Sequence, residues 1–225
     1  DNLGYANVDD LSILPPLNFK KLRDGKYTWP KPNGEHNIQK VAAYEASRGC
    51  VYNCIFCFRA GFRGKFRLKS IEQINQEIKA LKAEGIEYVY FIDELFAVDL
   101  TWTKEVCKIM KESGILWGYE TRPEYQTIEK TDLAYESGCR EIHLGMETAN
   151  KEVQRAIGKG TIDLTKLKQV IDRLIELKMH VKIYLISGGP KETKESMRET
   201  LKFIRQFPLD KISAITNVMM PYPGT

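Results

Sequence analysis

From residue 41 to its end the sequence predicts an α/β domain, a partial (β/α)6 barrel with parallel strands inside and helices outside. Three observations carry this. Apolar strand-like runs recur along the chain, helical stretches lie between them, and the alternation is strict. Six units fall short of the eight that close a full barrel, so a curved, partly open, TIM-like sheet is expected.

The elements follow in order. Residues 1–40 are irregular, because Pro15, Pro16, Pro30, Pro32 and Gly34 interrupt any period, and they read as a linker or wrapping segment. The first strand is expected at Val41–Ser47. In the first helix, Ser70 with Gln73 three residues on makes a capping box, and Ile71, Ile74, Ile78 and Leu81 share one face. Gly85 closes it. Further strands are expected at Tyr88–Asp93, Trp117–Thr121, Glu141–Glu147, Val181–Gly188 and Ile212–Met220. The helices between them fall at about Leu100–Glu112, Ile128–Glu136, Leu164–Leu177 and Lys194–Gln206.

The 225 residues suffice for one domain with a real core, and 43% hydrophobic with 28% charged residues reads as soluble and globular. No apolar run approaches the roughly 20 residues that span a bilayer. The chain starts at Asp1 without a signal-like segment and is expected to be a piece of a longer protein. A net charge of +4 is too mild to argue for nucleic acid. Five cysteines, three within eight residues, suit a reducing compartment such as the cytoplasm, and metal binding rather than disulfides.

Those three, Cys50, Cys54 and Cys57, follow the first strand and so lie at the C-terminal mouth, where barrel enzymes keep their chemistry. Thiolates suit iron–sulfur clusters or zinc, and either site normally takes four ligands. Cys139 precedes the fourth strand and sits at the opposite end, roughly 20 Å away for a strand of about six residues. Cys107 lies inside the second helix beside Val106 and Met110, as a small apolar group. A cluster on the loop therefore keeps one iron open. The competing reading is a zinc site completed by His36.

Strand residues of equal parity point the same way. Asp93 shares a face with Phe91 and Val89, and Glu94 follows at the strand end. Glu120 and Arg122 pair by parity on the third strand, His143, Gly145 and Glu147 on the fourth, and Lys182 and Tyr184 on the fifth. Polar side chains on buried strands need partners, as Glu120 with Lys182 would provide, or a ligand. Several together at strand ends favour a polar site. Arg59, Arg63, Lys65, Arg67 and Lys69, with Phe58, Phe62 and Phe66 between them, invite a nucleic-acid reading. Charge compensation around an anionic site, with the phenylalanines in the core, is preferred, since the chain has no comparable second patch.

The C-x3-C-x2-C loop, with Phe56 just before its last cysteine, resembles the signature of the radical S-adenosylmethionine (SAM) superfamily, and the resemblance runs from about Glu45 to Thr225. It implies a [4Fe–4S] cluster on Cys50, Cys54 and Cys57 as metal ligands and catalytic centre. It further implies that the amino and carboxylate groups of SAM chelate the open iron, and that cluster-driven cleavage yields a 5′-deoxyadenosyl radical that attacks a substrate C–H bond. By the same resemblance Asp93 and Glu94 stand where a Gly-Gly-Glu-like segment receives the cofactor amino group, although the two glycines are absent. Arg122 would take the cofactor carboxylate, and Glu147 the ribose hydroxyls. Ile186-Ser-Gly-Gly-Pro190-Lys-Glu-Thr193 resembles the family's turn after the fifth strand, so that Ser187, Gly188 and Pro190 would meet adenine, with Phe56 packed beside it.

Ala-Ser-Arg-Gly-Cys50, Gly145-Met-Glu-Thr-Ala-Asn150, Ala156-Ile-Gly-Lys-Gly-Thr161 and Pro221-Tyr-Pro-Gly-Thr225 resemble the branch that carries an N-terminal cobalamin-binding domain. Val8-Asp-Asp-Leu11 with Pro15-Pro16 is similar to the linker leaving such a domain. The resemblance implies carbon methylation through cobalamin in the full-length protein, the cobalamin being held by a domain outside this chain. The alternatives are a cobalamin-independent enzyme, methylthiotransferase-like or rearranging, a zinc-stabilised binding module, and an iron–sulfur electron carrier. The expected partners are a small-molecule or peptide substrate and an electron donor such as flavodoxin or ferredoxin, with neither membrane nor nucleic acid.

Overall fold

The computed structural model describes residues 8–15, 28–30, 37–58 and 65–221. His36, Arg59, Phe62, Arg63, much of the expected linker, and the phrase beyond Pro221 lie outside the described residues.

Six parallel strands form one sheet: β3 (Val41–Tyr44), β6 (Tyr88–Phe91), β7 (Leu116–Thr121), β8 (Cys139–Glu147), β9 (His180–Ser187) and β10 (Ile212–Val218). They lie side by side in chain order, with β3 and β10 at the two edges. The connections contain α1 (Ile71–Ala83), α2 (Leu100–Ser113), α3 (Ile128–Glu136), α4 (Lys151–Ala156) with α5 (Leu164–Glu176), and α6 (Lys194–Ile204). Two short antiparallel pairs stand outside the sheet, β1 (Thr28–Pro30) with β2 (Asn37–Gln39) and β4 (Ser47–Arg48) with β5 (Arg67–Leu68). The six-unit parallel architecture is the one the alternation predicts.

The departures have physical causes. The first strand stops at Tyr44 because Ser47 and Arg48 turn away to pair with Leu68 and Arg67. The six-residue helix α4 is too short to show a period; Asn150 caps it, accepting from the backbone N–H groups of Glu152 and Val153. Ser70 caps α1 by accepting from the Gln73 N–H, but the expected capping box is not completed, because the Gln73 side chain donates to the Leu11 carbonyl instead. Lys69, read as part of a basic stretch, turns inward to Glu77 at 2.6 Å. Phe58 is 46% exposed rather than in the core.

Alternation along the strands separates two environments. Val89, Phe91, Trp117, Tyr119, Ile142, Leu144, Val181 and Ile183 face the helices in one continuous apolar core. Phe96 sits within it, 4.9 Å from the Phe91 ring and 4.7 Å from the Tyr119 ring. The opposite parity carries Tyr88, Tyr90, Glu120, Glu141, His143, Lys182 and Tyr184. Gly118 lies among them because a Cβ there would stand 2.4 Å from the Tyr88 hydroxyl. The sheet thus has an oily outer face and a polar inner one.

Candidate active site

The cysteine loop follows β4 and is held by main-chain bonds. Cys57 N–H donates to the Cys54 carbonyl at 3.0 Å, and Ile55 N–H to the Ile157 carbonyl at 3.1 Å. The second bond ties the loop to the segment after α4. There Gly158 (φ +73°) comes so close that an added Cβ would meet the Asn53 carbonyl at 2.8 Å, which only glycine tolerates. From the other side Gly49 N–H donates to the Glu94 carboxylate at 2.9 Å.

Cys50, Cys54 and Cys57 all border one cavity of about 580 Å³ at the C-terminal ends of the strands, a volume typical of cofactor sites. Phe56, Glu94, Glu120, Arg122, Glu147, Lys159, Tyr184 and Ile186 complete much of its wall. The Arg122 guanidinium stacks 3.6 Å above the Tyr52 ring, donates to Glu124 at 2.6 Å and to the Lys159 carbonyl, and reaches the Cys54 sulfur at 3.3 Å. Glu147 ends β8 at a register shift, with φ +65°, and its carboxylate meets the buried Lys159 ammonium at 3.0 Å. Such a backbone angle in a non-glycine residue costs of order 1–3 kcal/mol and is found mostly at functional sites.

Of the residues singled out in the sequence, Phe56, Glu94, Arg122 and Glu147 line this cavity with the three cysteines. Asp93 does not. Its parity is that of Val89 and Phe91, so its carboxylate enters the helix side, accepting from Ser47 Oγ at 2.5 Å and Ala46 N–H at 3.2 Å. Ser187, Gly188 and Pro190 stand just beyond Ile186, where Glu192 accepts from the Ser187 hydroxyl and the Gly188 N–H. Lys159 stands in the sequence only within the phrase Ala156–Thr161, with no site role expected of it; Gly158 and Gly160 on either side are both at positive φ. Glu120 faces Lys182 electrostatically, but burial and the nearby Glu147 still raise its pKa.

The loop sulfurs fit a three-thiolate cluster site. None is in a disulfide, and the other two cysteines are buried elsewhere. Burial pushes the Cys107 thiol up to about 11, and that of Cys139 well above its ordinary value. Among the described residues no fourth cysteine borders the cavity.

Burial also raises the Asp93 carboxyl to about 7, against opposing hydrogen bonds from Ser47 and Ala46. The folded chain therefore holds this proton more tightly than the unfolded chain. Stability should fall as pH rises from about 4 to about 7 and level off above it. Asp93→Asn should flatten that slope in urea titrations across this range, and an unchanged slope would refute the assignment.

Residues 44–204 match the Radical SAM superfamily. The chain belongs to this superfamily. An uncharacterised methyltransferase of Pyrococcus horikoshii is 30% identical over 186 residues, covering 80% of this chain and 39% of that protein. The ribosomal protein uS12 methylthiotransferase RimO of Clostridium perfringens is 26% identical over 194 residues, covering 79% of this chain and 43% of the relative. Among solved structures, the radical SAM methyltransferase TsrM from Kitasatospora setae, with cobalamin and a [4Fe–4S] cluster bound, superposes with TM-score 0.74 at 17% identity. The match covers 82% of this chain and 35% of TsrM, and shows a shared fold. The radical SAM chain thus spans about two-fifths of the curated relatives it matches. Membership implies a [4Fe–4S] cluster and SAM, and an electron donor. Among the described residues no helix is long and apolar enough to cross a membrane.

Proposed function

We propose that this chain is the cluster- and SAM-binding part of a cytoplasmic methyltransferase that acts on a substrate carbon, with cobalamin held by a domain outside it. The carrying observation is the convergence of Cys50, Cys54 and Cys57 on a cavity that also presents Glu94, Arg122 and Glu147. When bound, the cluster and SAM supply reductive cleavage to a 5′-deoxyadenosyl radical. The chain's own residues do the holding. The three thiolates bind iron. Glu94 is the acceptor facing the cavity for an amino group, and Arg122 the donor for a carboxylate. Glu147, braced by Lys159, accepts from ribose hydroxyls. Phe56 and Ile186 offer apolar surface to adenine, with the Ser187–Gly188–Pro190 turn behind. Asp93 acts through the backbone of Ala46 and Ser47, just ahead of the loop. The methyltransferase relatives support the reaction class, and flavodoxin or ferredoxin is the proposed electron source.

Anaerobic reconstitution with iron and sulfide, then dithionite and SAM, should yield 5′-deoxyadenosine by mass spectrometry. An intact cluster that gives none would refute the reading for this chain. The methylthiotransferase relative favours a second, cobalamin-free reading. Full-length protein purified with cobalamin should retain a corrinoid under the first reading and none under the second.

Glu147→Gln should weaken SAM binding by about tenfold or more, the worth of one hydrogen bond to a charged group, and leave iron content unchanged. The amide can still accept from Lys159, so the fold should survive. Equal affinity in equilibrium dialysis would place the ribose elsewhere.

A further inference from the structure

Beneath the main cavity, on the polar inner face of the sheet, two strands bring a carboxylate and two imidazoles together. Glu141 Oε1 on β8 lies 2.5 Å from His143 Nε2 on the same strand and 2.9 Å from His180 Nδ1 at the start of β9. The imidazole rings stand 6.3 Å apart and nearly perpendicular, at 81°, so their edges converge on the carboxylate oxygen. All three candidate ligand atoms fall within 4.8 Å of one another. We propose that Glu141, His143 and His180 form a second metal centre, separate from the cysteine loop, that binds one divalent cation of the zinc type.

The argument rests on what surrounds the three ligands. A metal-binding imidazole is normally fixed by a hydrogen bond at its other nitrogen, and a metal-binding carboxylate at its other oxygen. Each has such a partner here. His143 Nδ1 meets the Tyr90 hydroxyl at 2.6 Å and the Tyr184 hydroxyl at 3.1 Å. His180 Nε2 meets Ser213 Oγ at 3.2 Å. Tyr88 donates to Glu141 Oε2 at 3.0 Å. The three inward atoms are thus aimed by outer contacts on β6, β9 and β10, before any cation arrives.

Two histidines and one carboxylate suit zinc or ferrous iron. A cavity of about 520 Å³ borders His180 and its partner Ser213. The Lys182 ammonium, 3.9 Å from Glu141 Oε1, already supplies positive charge there. On metal binding it has Glu120, whose charge it also faces, as an alternative.

The test needs neither SAM nor cluster, so it stands apart from the radical reading. The full chain is stripped with chelator, its loop cysteines are blocked with iodoacetamide, and Zn2+ or Co2+ is titrated in. One equivalent should bind, and the cobalt spectrum should show ligand-field bands without thiolate charge transfer. His180→Ala and Glu141→Gln should each weaken binding at least about 100-fold, and Tyr88→Phe about tenfold, as loss of an outer contact does. His180 stands at a strand end, so its variant should fold, with circular dichroism as the check. No equivalent bound by the wild-type chain would overturn the proposal, leaving protons between the ligands. So would an affinity that none of the three substitutions changes.

Discussion

Cys54→Ala should give a folded chain that assembles no [4Fe–4S] cluster. On the proposed assignment the cluster would need all three loop thiolates, since no fourth cysteine borders the cavity among the described residues. Two sulfurs cannot replace the third ligand. The fold has little to lose. Cys54 is only partly buried, its thiol makes a long 3.6 Å contact to the Gly158 carbonyl, and the loop is fastened by main-chain bonds from Ile55 and Cys57. Iron per chain after reconstitution should drop from about four to below one, with helical circular dichroism unchanged. Loss of the helical signal would show that the loop is structural. A retained cluster would show that a ligand comes from elsewhere.

The largest stability effect is expected at Glu77→Ala. Glu77 on α1 is 4% exposed and accepts from the Lys69 ammonium at 2.6 Å and the Tyr44 hydroxyl at 2.6 Å. Lys69 is 5% exposed and lies 4.6 Å from the centre of the Tyr44 ring. Removing the carboxylate strands a buried ammonium and a buried hydroxyl together. Breaking such a pair from one side typically costs about 3–5 kcal/mol. Urea denaturation should show a loss of that size, while Lys69→Met and Glu77→Leu combined with Tyr44→Phe should recover most of it, because apolar groups of similar volume remove the desolvation cost. A loss below about 1 kcal/mol would mean that water reaches the pair. The same contact joins β3, the approach to α1, and α1 itself, so it also fixes the segment that follows the cysteine loop.

The helices were legible because an amphipathic stripe is written locally. Ile71, Ile74, Ile78 and Leu81 announce α1, and Ile128–Glu136 matches α3 end for end. The cysteine loop was legible for the same reason, as spacing within eight residues. What sequence did not reveal depends on which side of the sheet a strand turns. Asp93 and Glu94 are neighbours with opposite parity, and only contact with the helices decides that the first is core-facing and the second borders the cavity. Glu147 departs from simple alternation because β8 shifts register before it. Lys159 is twelve residues beyond Glu147, on a turn with no period, and its role appears only when the chain returns. The inner-face hydrogen bonds of His143 join side chains from three strands, which alternation can suggest but not assemble.

The side-by-side order of the six strands bears on how the chain acquires its structure. Every strand of the sheet is bonded to its predecessor in that sheet, so no pairing waits for a distant part of the chain. A chain emerging from the ribosome can lay down β3, α1 and β6, then add one βα unit at a time, each closing a loop of modest length. At each stage the newest strand is a raw edge, opposite the fixed edge at β3, and the next strand to be made is the one that covers it. Growth is therefore directional. A pause in synthesis between β8 and β9 would leave Glu141 and His143 on an uncovered edge, the stage at which a partly built sheet is most open to wrong pairing.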